Sequence, residues 1–142
     1  MNLPYVDHLG ILVEDLETSL DLYQKQFGFQ LDEIRLMPEV GIKIGYLKAK
    51  NIAVELIQYL KPEGDGKTTN FARKTMGNGM GYNHIAIRTD DVDHETEIRK
   101  EEGLLPLDGF PTQGLHGKVC FFSKETTDGV LMEICEEPKD QQ

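Results

Sequence analysis

The sequence predicts an α+β fold in which one βαβββ module is written twice. Three observations carry this expectation. First, a histidine stands in an apolar strand near the N-terminus, YVDHLGILV with His8, and again in the glycine-led stretch GMGYNHIAIR with His84. Second, aligning His8 with His84 shifts the chain by 76 positions. That shift places Asp15-Leu16 on Asp91-Val92 and GIKIGYL from Gly41 on GKVCFFS from Gly117. Third, a slip of two residues brings NIAVELI from Asn51 onto GVLMEIC from Gly129, and with it Glu55 onto Glu133. Self-similarity at a fixed period outranks any single local signal. A single domain over 5–136 is expected, with modules at about 5–60 and 82–136 and a linker over 61–81.

Each element follows from local chemistry. From Tyr5 to Val13 the chain alternates, with Leu9, Ile11 and Val13 on one face and His8, Gly10 and Leu12 on the other. Asp15 reads as an N-cap, and Leu16, Leu20, Tyr23 and Phe27 then recur at helical spacing until Gly28. This predicts a helix over Leu16–Phe27 with its apolar side on the sheet. Phe29–Met37, Ile42–Lys48 and Ile52–Leu60 read as strands, with Pro38–Gly41 as a turn or bulge between the first two. The stretch from Lys61 to Gly66 has loop chemistry, and Thr69–Thr75 suits one or two helical turns anchored by Phe71. The second module repeats the order. A strand is expected over Tyr82–Arg88, a polar helix over Asp91–Glu102, a weak strand over Leu105–Phe110, and firmer strands over Val119–Phe122 and Val130–Cys135.

The bulk numbers bound the function. A chain of 142 residues with 39% hydrophobic content can bury one working core. A net charge of −10 argues against non-specific nucleic-acid or acidic-lipid partners. No stretch approaches the roughly 18 apolar residues of a membrane span, and MNLPYVDHLG lacks the basic start and apolar core of a signal peptide. Cys120 and Cys135 both fall in strands, where they read as small buried hydrophobes of a reducing, cytoplasmic protein. The acidic run from Glu136 to Asp140 reads as a solvated end.

The chemistry concentrates in four positions. A carboxylate flanked by aliphatics, as Glu55 is in Ala53–Ile57, is costly unless it is paired or bound to a cation. His8, Glu55, His84 and Glu133 occupy corresponding places in the two copies. Two imidazoles and two carboxylates brought together form a ligand set for a first-row divalent metal, leaving positions for water or substrate.

The arrangement resembles the vicinal oxygen chelate superfamily, which includes glyoxalase I, epimerases, extradiol dioxygenases and antibiotic-resistance proteins. The resemblance covers about Tyr5 to Glu136 and implies curved mixed sheets forming a metal-containing cleft. His8, Glu55, His84 and Glu133 fall on its metal-ligand positions. The closest likeness within it is to the methylmalonyl-CoA epimerases, carried by DHLGILVEDLETSLDLY, PEVGIKIGYL, GMGYNHIAI, LHGKVCFF and GVLMEI. That likeness implies one divalent ion per site (Co, Zn, Ni or Mn), with Glu133 as ligand and base and Glu39 as a second catalytic carboxylate. It also implies His116 and Lys118 as substrate contacts. The reaction implied is abstraction of the α-proton of an acyl thioester through a metal-stabilised enolate. A lactoylglutathione lyase of the glyoxalase I kind is the alternative, and a non-catalytic small-molecule or antibiotic-binding protein ranks third. The partners expected are a small-molecule acyl-CoA or glutathione thioester and a second copy of the chain in a homodimer.

Overall fold

The computed structural model describes residues 3–60 and 66–137. The loop expected from Lys61 lies outside the described residues as far as Asp65, as does the acidic tail from Pro138. The chain divides into two compact units. One runs from His8 to Asn83, and the other runs from His84 onward together with the residues up to Asp7.

The first unit holds most of β1 (Val6–Leu12), then α1 (Leu16–Phe27), β2 (Gln30–Met37), β3 (Ile42–Lys48), β4 (Ala53–Tyr59) and α2 (Gly66–Met76). Its sheet runs β2-β3-β4-β1, antiparallel except that β1 lies parallel to β4. The second unit contains most of β5 (Gly81–Thr89), then α3 (Val92–Glu101), β6 (Thr112–Gln113), β7 (Lys118–Phe121) and β8 (Met132–Glu136). Its sheet repeats the order as β6-β7-β8-β5, with β5 parallel to β8. The fold is α+β, as the repeat predicted.

Helices α1 and α3 start the same way. The Asp15 carboxylate accepts from the Thr18 amide at 3.1 Å, and Asp91 accepts from His94 at 3.1 Å. A second acceptor comes from the end of the neighbouring strand. Gln58 Oε1 takes the Leu16 amide at 2.7 Å, and Glu136 Oε2 takes the Val92 amide at 3.1 Å. Gln58 and Glu136 both stand three residues after the strand glutamate. The repeat therefore duplicates the helix caps as well as the strands, and satisfies two otherwise orphaned donors at each helix start.

The helices cover one face of each sheet. In the first unit Leu16 and Leu20 pack with Leu47, Val54 and Leu56, and Ile11 and Val13 close the edge. Helix α1 lies so close to β3 that a Cβ on Gly45 would stand 2.7 Å from Leu20 Cδ2. In the second unit Val92 packs with Cys120, Phe122 and Ile134, flanked by Ile87, Leu104 and Phe110. Leu56 has no exposed surface, so Leu56→Ala should cost about 2–5 kcal/mol, read as a lower denaturant midpoint with an unchanged slope. Both cysteines are buried and neither forms a disulfide, and burial pushes the Cys120 thiol up.

Three local expectations are corrected. No strand forms over Leu105–Phe110. Pro106 makes a single bridge to Phe122, the Phe110 amide turns back to Leu107, Gly109 sits at φ 87°, and the short edge strand falls instead at Thr112–Gln113. A proline without an N–H and a left-handed glycine cannot both sit in a ladder. Second, β8 begins at Met132, because Asp128 and Gly129 turn with positive φ and Val130 closes that turn onto Thr127. Third, sheet register pairs Glu55 with Tyr46 and Glu133 with Phe121, so Tyr46 corresponds to Phe121 rather than to Phe122. The helical turns expected at Thr69–Thr75 belong to a longer helix, α2.

The N-terminal residues group with the second unit for a visible reason. Arg88 donates from Nε and Nη2 to Asp7 Oδ1 at 3.0 and 2.7 Å, its guanidinium lies 4.0 Å from the Tyr5 ring centre, and its amide donates to the Tyr5 carbonyl. No helix among the described residues is long and apolar enough to cross a membrane.

Candidate metal half-sites

The faces of the sheets turned away from α1 and α3 carry the polar residues. In β4 the period of two puts Ala53, Glu55, Ile57 and Tyr59 together, while Val54 and Leu56 take the α1 side. His8 Nε2 lies 3.1 Å from Glu55 Oε2. Both residues are buried, at 3% and 8% exposure. Gly10 is the backbone partner of Glu55, so no side chain from β1 fills the space beside the carboxylate.

The second unit builds the same pair. His84 Nε2 lies 3.3 Å from Glu133 Oε1, with exposures of 1% and 5%. Ala86, at the position matching Gly10, is the partner of Glu133. The His84 ring meets Phe121 edge-on, with centroids 5.0 Å apart, and Phe121 in turn meets Phe110 at 5.3 Å. These aromatic contacts fix the imidazole plane and shield the pair from water.

The donor chemistry suits a divalent ion. Each pair presents one imidazole nitrogen and one carboxylate oxygen, both nearly dry. Two such donors held about 2.0–2.2 Å from one ion, at octahedral to tetrahedral angles, stand about 3.0–3.4 Å apart. The observed separations of 3.1 and 3.3 Å fall in that range. The four residues singled out in the sequence thus fall into two equivalent His–Glu pairs.

The other sequence-predicted residues stand elsewhere. Glu39 is exposed on the four-residue turn that joins β2 to β3, where Gly41 adopts φ 80°. The turn carries no bulge; the irregularity in β2 lies between Leu31 and Glu33. His116 is half-buried in the loop before β7. Lys118 is exposed, shares its side of β7 with Cys120, faces α3 and pairs with Asp93, which raises its ammonium above the usual range.

Sequence reasoning missed Tyr46 and Phe121, the cross-strand neighbours of the two glutamates. It also missed the tie at the end of α2. The Tyr59 hydroxyl donates to the Gly77 carbonyl at 2.5 Å, the Arg73 guanidinium lies 4.4 Å from the Tyr59 ring centre, and Asn83 Nδ2 donates to the Met76 carbonyl at 2.7 Å. Burial pushes the Tyr59 phenol up to about 12, with Arg73 pulling the other way. The neutral phenol is therefore favoured in the folded state. Its contribution to stability is present below about pH 10 and is lost as pH rises from there toward 12. Tyrosinate absorbance should show Tyr59 titrating late in the native protein, and Tyr59→Phe should remove that late component.

Comparison with known proteins places the chain in a family. The profile of the Glyoxalase/Bleomycin resistance protein/Dioxygenase superfamily matches residues 5–134. The chain is 31% identical to the mitochondrial methylmalonyl-CoA epimerase of Dictyostelium discoideum over 91% of its own length and 76% of that protein. It is 29% identical to the lactoylglutathione lyase GLX1 of Arabidopsis thaliana over 89% of its own length, which spans 42% of that longer protein. A Streptomyces coelicolor methylmalonyl-CoA epimerase in complex with 2-nitronate-propionyl-CoA shares the fold, with a TM-score of 0.81 at 24% identity and 97% of each chain covered. The named relatives are enzymes, and the chain is an enzyme of the same group. By a profile match over nearly its whole length, it belongs to the Glyoxalase/Bleomycin resistance protein/Dioxygenase superfamily.

Proposed function

We propose that this protein is a metal-dependent isomerase that removes and returns the α-proton of an acyl thioester, with an acyl-CoA of the methylmalonyl kind as substrate. The observation that carries this reading is the duplicated, buried His–Glu pair. One pair alone offers two donors, too few to retain a divalent ion against water. Two pairs offer the four donors of a firm site with room for substrate oxygen. His8, Glu55, His84 and Glu133 are accordingly assigned to one ion of Co, Zn, Ni or Mn. When bound, the ion supplies positive charge that favours negative charge developing on the acyl oxygen.

The chain's own residues do the rest. Glu133 is assigned as the base, because its carboxylate is dry and sits between an imidazole and the Phe121 strand position. A dry carboxylate is a stronger base than a hydrated one. His116 is assigned to the substrate from its place in the half-buried loop before β7, while Lys118 is held on Asp93. Lys118 joins that contact only by leaving Asp93. Glu39 is assigned the return of the proton. It lies beyond the Tyr59 end of β4, so this role requires its turn to fold over the bound substrate. Glu39→Gln should keep the metal and lower turnover by roughly 10²–10⁴-fold; normal turnover would leave Glu39 a turn residue. We further propose a homodimer in the cytoplasm, to be checked by light scattering and by fractionation.

A lactoylglutathione lyase is the second reading, favoured by the Arabidopsis relative. It uses the same ion and the same proton transfer on a hemithioacetal. Turnover of methylmalonyl-CoA measured beside the methylglyoxal–glutathione hemithioacetal, with each metal supplied in turn, separates the two. Faster turnover of the hemithioacetal would reject the epimerase reading.

A further inference from the structure

The geometry points to Arg73 as the residue that grips a distal phosphate on the substrate's thiol carrier, which makes α2 part of the substrate-binding surface. This rests on the acyl-CoA reading above.

The placement follows from strand periodicity. Tyr59 succeeds Glu55 and Ile57 on one face of β4, while α1 covers the other face. The Tyr59 hydroxyl holds the Gly77 carbonyl and its ring lies under Arg73. The C-terminal end of α2 is therefore tied over the face that carries Glu55. Four residue steps along the strand separate Glu55 from Tyr59, about 13 Å at the usual rise. That distance is too long for a carboxylate on a short acyl group attached at the thioester. It suits an anion at the far end of an extended carrier arm.

The chemistry of the contact is specific. A guanidinium stacked on an aromatic ring is held by its flat face, and its N–H donors remain in the plane around its rim. Those donors match two oxygens of a phosphate. Among the described residues no carboxylate is ion-paired with Arg73, although the chain has 25 acidic residues against 15 basic ones. Arg99, by contrast, pairs with Glu95 and Glu102. Among the described residues Arg73 is oriented by a neutral ring instead, which fixes its direction without neutralising its charge.

Binding of coenzyme A, pantetheine and glutathione, measured calorimetrically on wild type, Arg73→Gln and Arg73→Lys, tests this without relying on turnover. Arg73→Gln should weaken coenzyme A by about 10-fold or more, Arg73→Lys should recover part of the loss, and pantetheine, which carries no phosphate, should bind all three alike. Equal loss for pantetheine would make Arg73 a structural residue. Unchanged coenzyme A binding, or none by wild type, would also overturn the proposal, and a loss confined to glutathione would assign a carboxylate instead. The reaction itself is judged separately. Arg73-dependent coenzyme A binding without α-proton exchange would sink the epimerase reading alone. Exchange without Arg73 dependence would sink this inference alone.

Discussion

His84→Ala should lose the divalent ion and, with it, the activity. The imidazole is 1% exposed, lies 3.3 Å from Glu133 and is held edge-on by Phe121. Loss of a residue that merely orients a ligand costs about 10–100-fold in metal affinity, and loss of a ligand costs more. Wild type should carry one ion per chain by elemental analysis, and the variant should carry almost none after dialysis. The variant should also be less stable by several kcal/mol. Removing one partner of a buried pair strands the other, here the Glu133 carboxylate, at about 3–5 kcal/mol. His8→Ala should behave alike, because His8 and Glu55 repeat the same contact at 3.1 Å. Stoichiometric metal in a folded His84→Ala protein would remove His84 from the ligand set.

Glu133→Gln should lower turnover by roughly 10²–10⁴-fold, the usual contribution of a positioned base. The amide keeps the shape and an oxygen donor but takes up no proton. Glu55→Gln makes the identical chemical change in the other half-site, beside Tyr46 rather than Phe121. Both variants should weaken the metal to a similar degree. Only Glu133→Gln should lose the chemical step once metal is saturating. Steady-state kinetics at several metal concentrations separates the two effects. An equal fall in both variants at saturating metal would mean that neither glutamate is the base and that both serve only as ligands.

Much of this was legible in the chain because the repeat makes weak local signals confirm one another. His8 alone is an unremarkable strand histidine. Its match with His84, and that of Glu55 with Glu133, identifies the face of each sheet opposite α1 and α3. The alternation at Ile11, Val13 and Ile87 likewise foretold which face the helices cover. Helix α1 was readable to its last residue, since Asp15 and Gly28 mark its ends by cap chemistry. What failed was register. A one-residue difference before β7 moves the glutamate's cross-strand neighbour from Phe122 to Phe121, and hydrophobic patterning cannot detect it when both residues are phenylalanine. The strand expected at Leu105–Phe110 failed because apolar content outweighed the effect of Pro106 and Gly109 on the backbone. The double acceptors at Gln58 and Glu136 were invisible because they join residues 42 and 44 positions apart in sequence. The Tyr59–Arg73 contact has no sequence signal beyond an arginine in the last turn of a helix.

Incorporation of solvent deuterium at the α-carbon of methylmalonyl-CoA is the most direct test of the proposed chemistry. The protein is first stripped of metal, then reloaded with Co, Zn, Ni or Mn in separate samples and incubated in heavy water. Mass spectrometry and proton resonance follow the exchange. The expected result is rapid exchange with at least one metal, none in the stripped protein, and none in His84→Ala. Exchange that persists unchanged after metal removal, or its absence with every metal supplied, would contradict the assignment of the paired histidines and glutamates to a metal-dependent proton transfer.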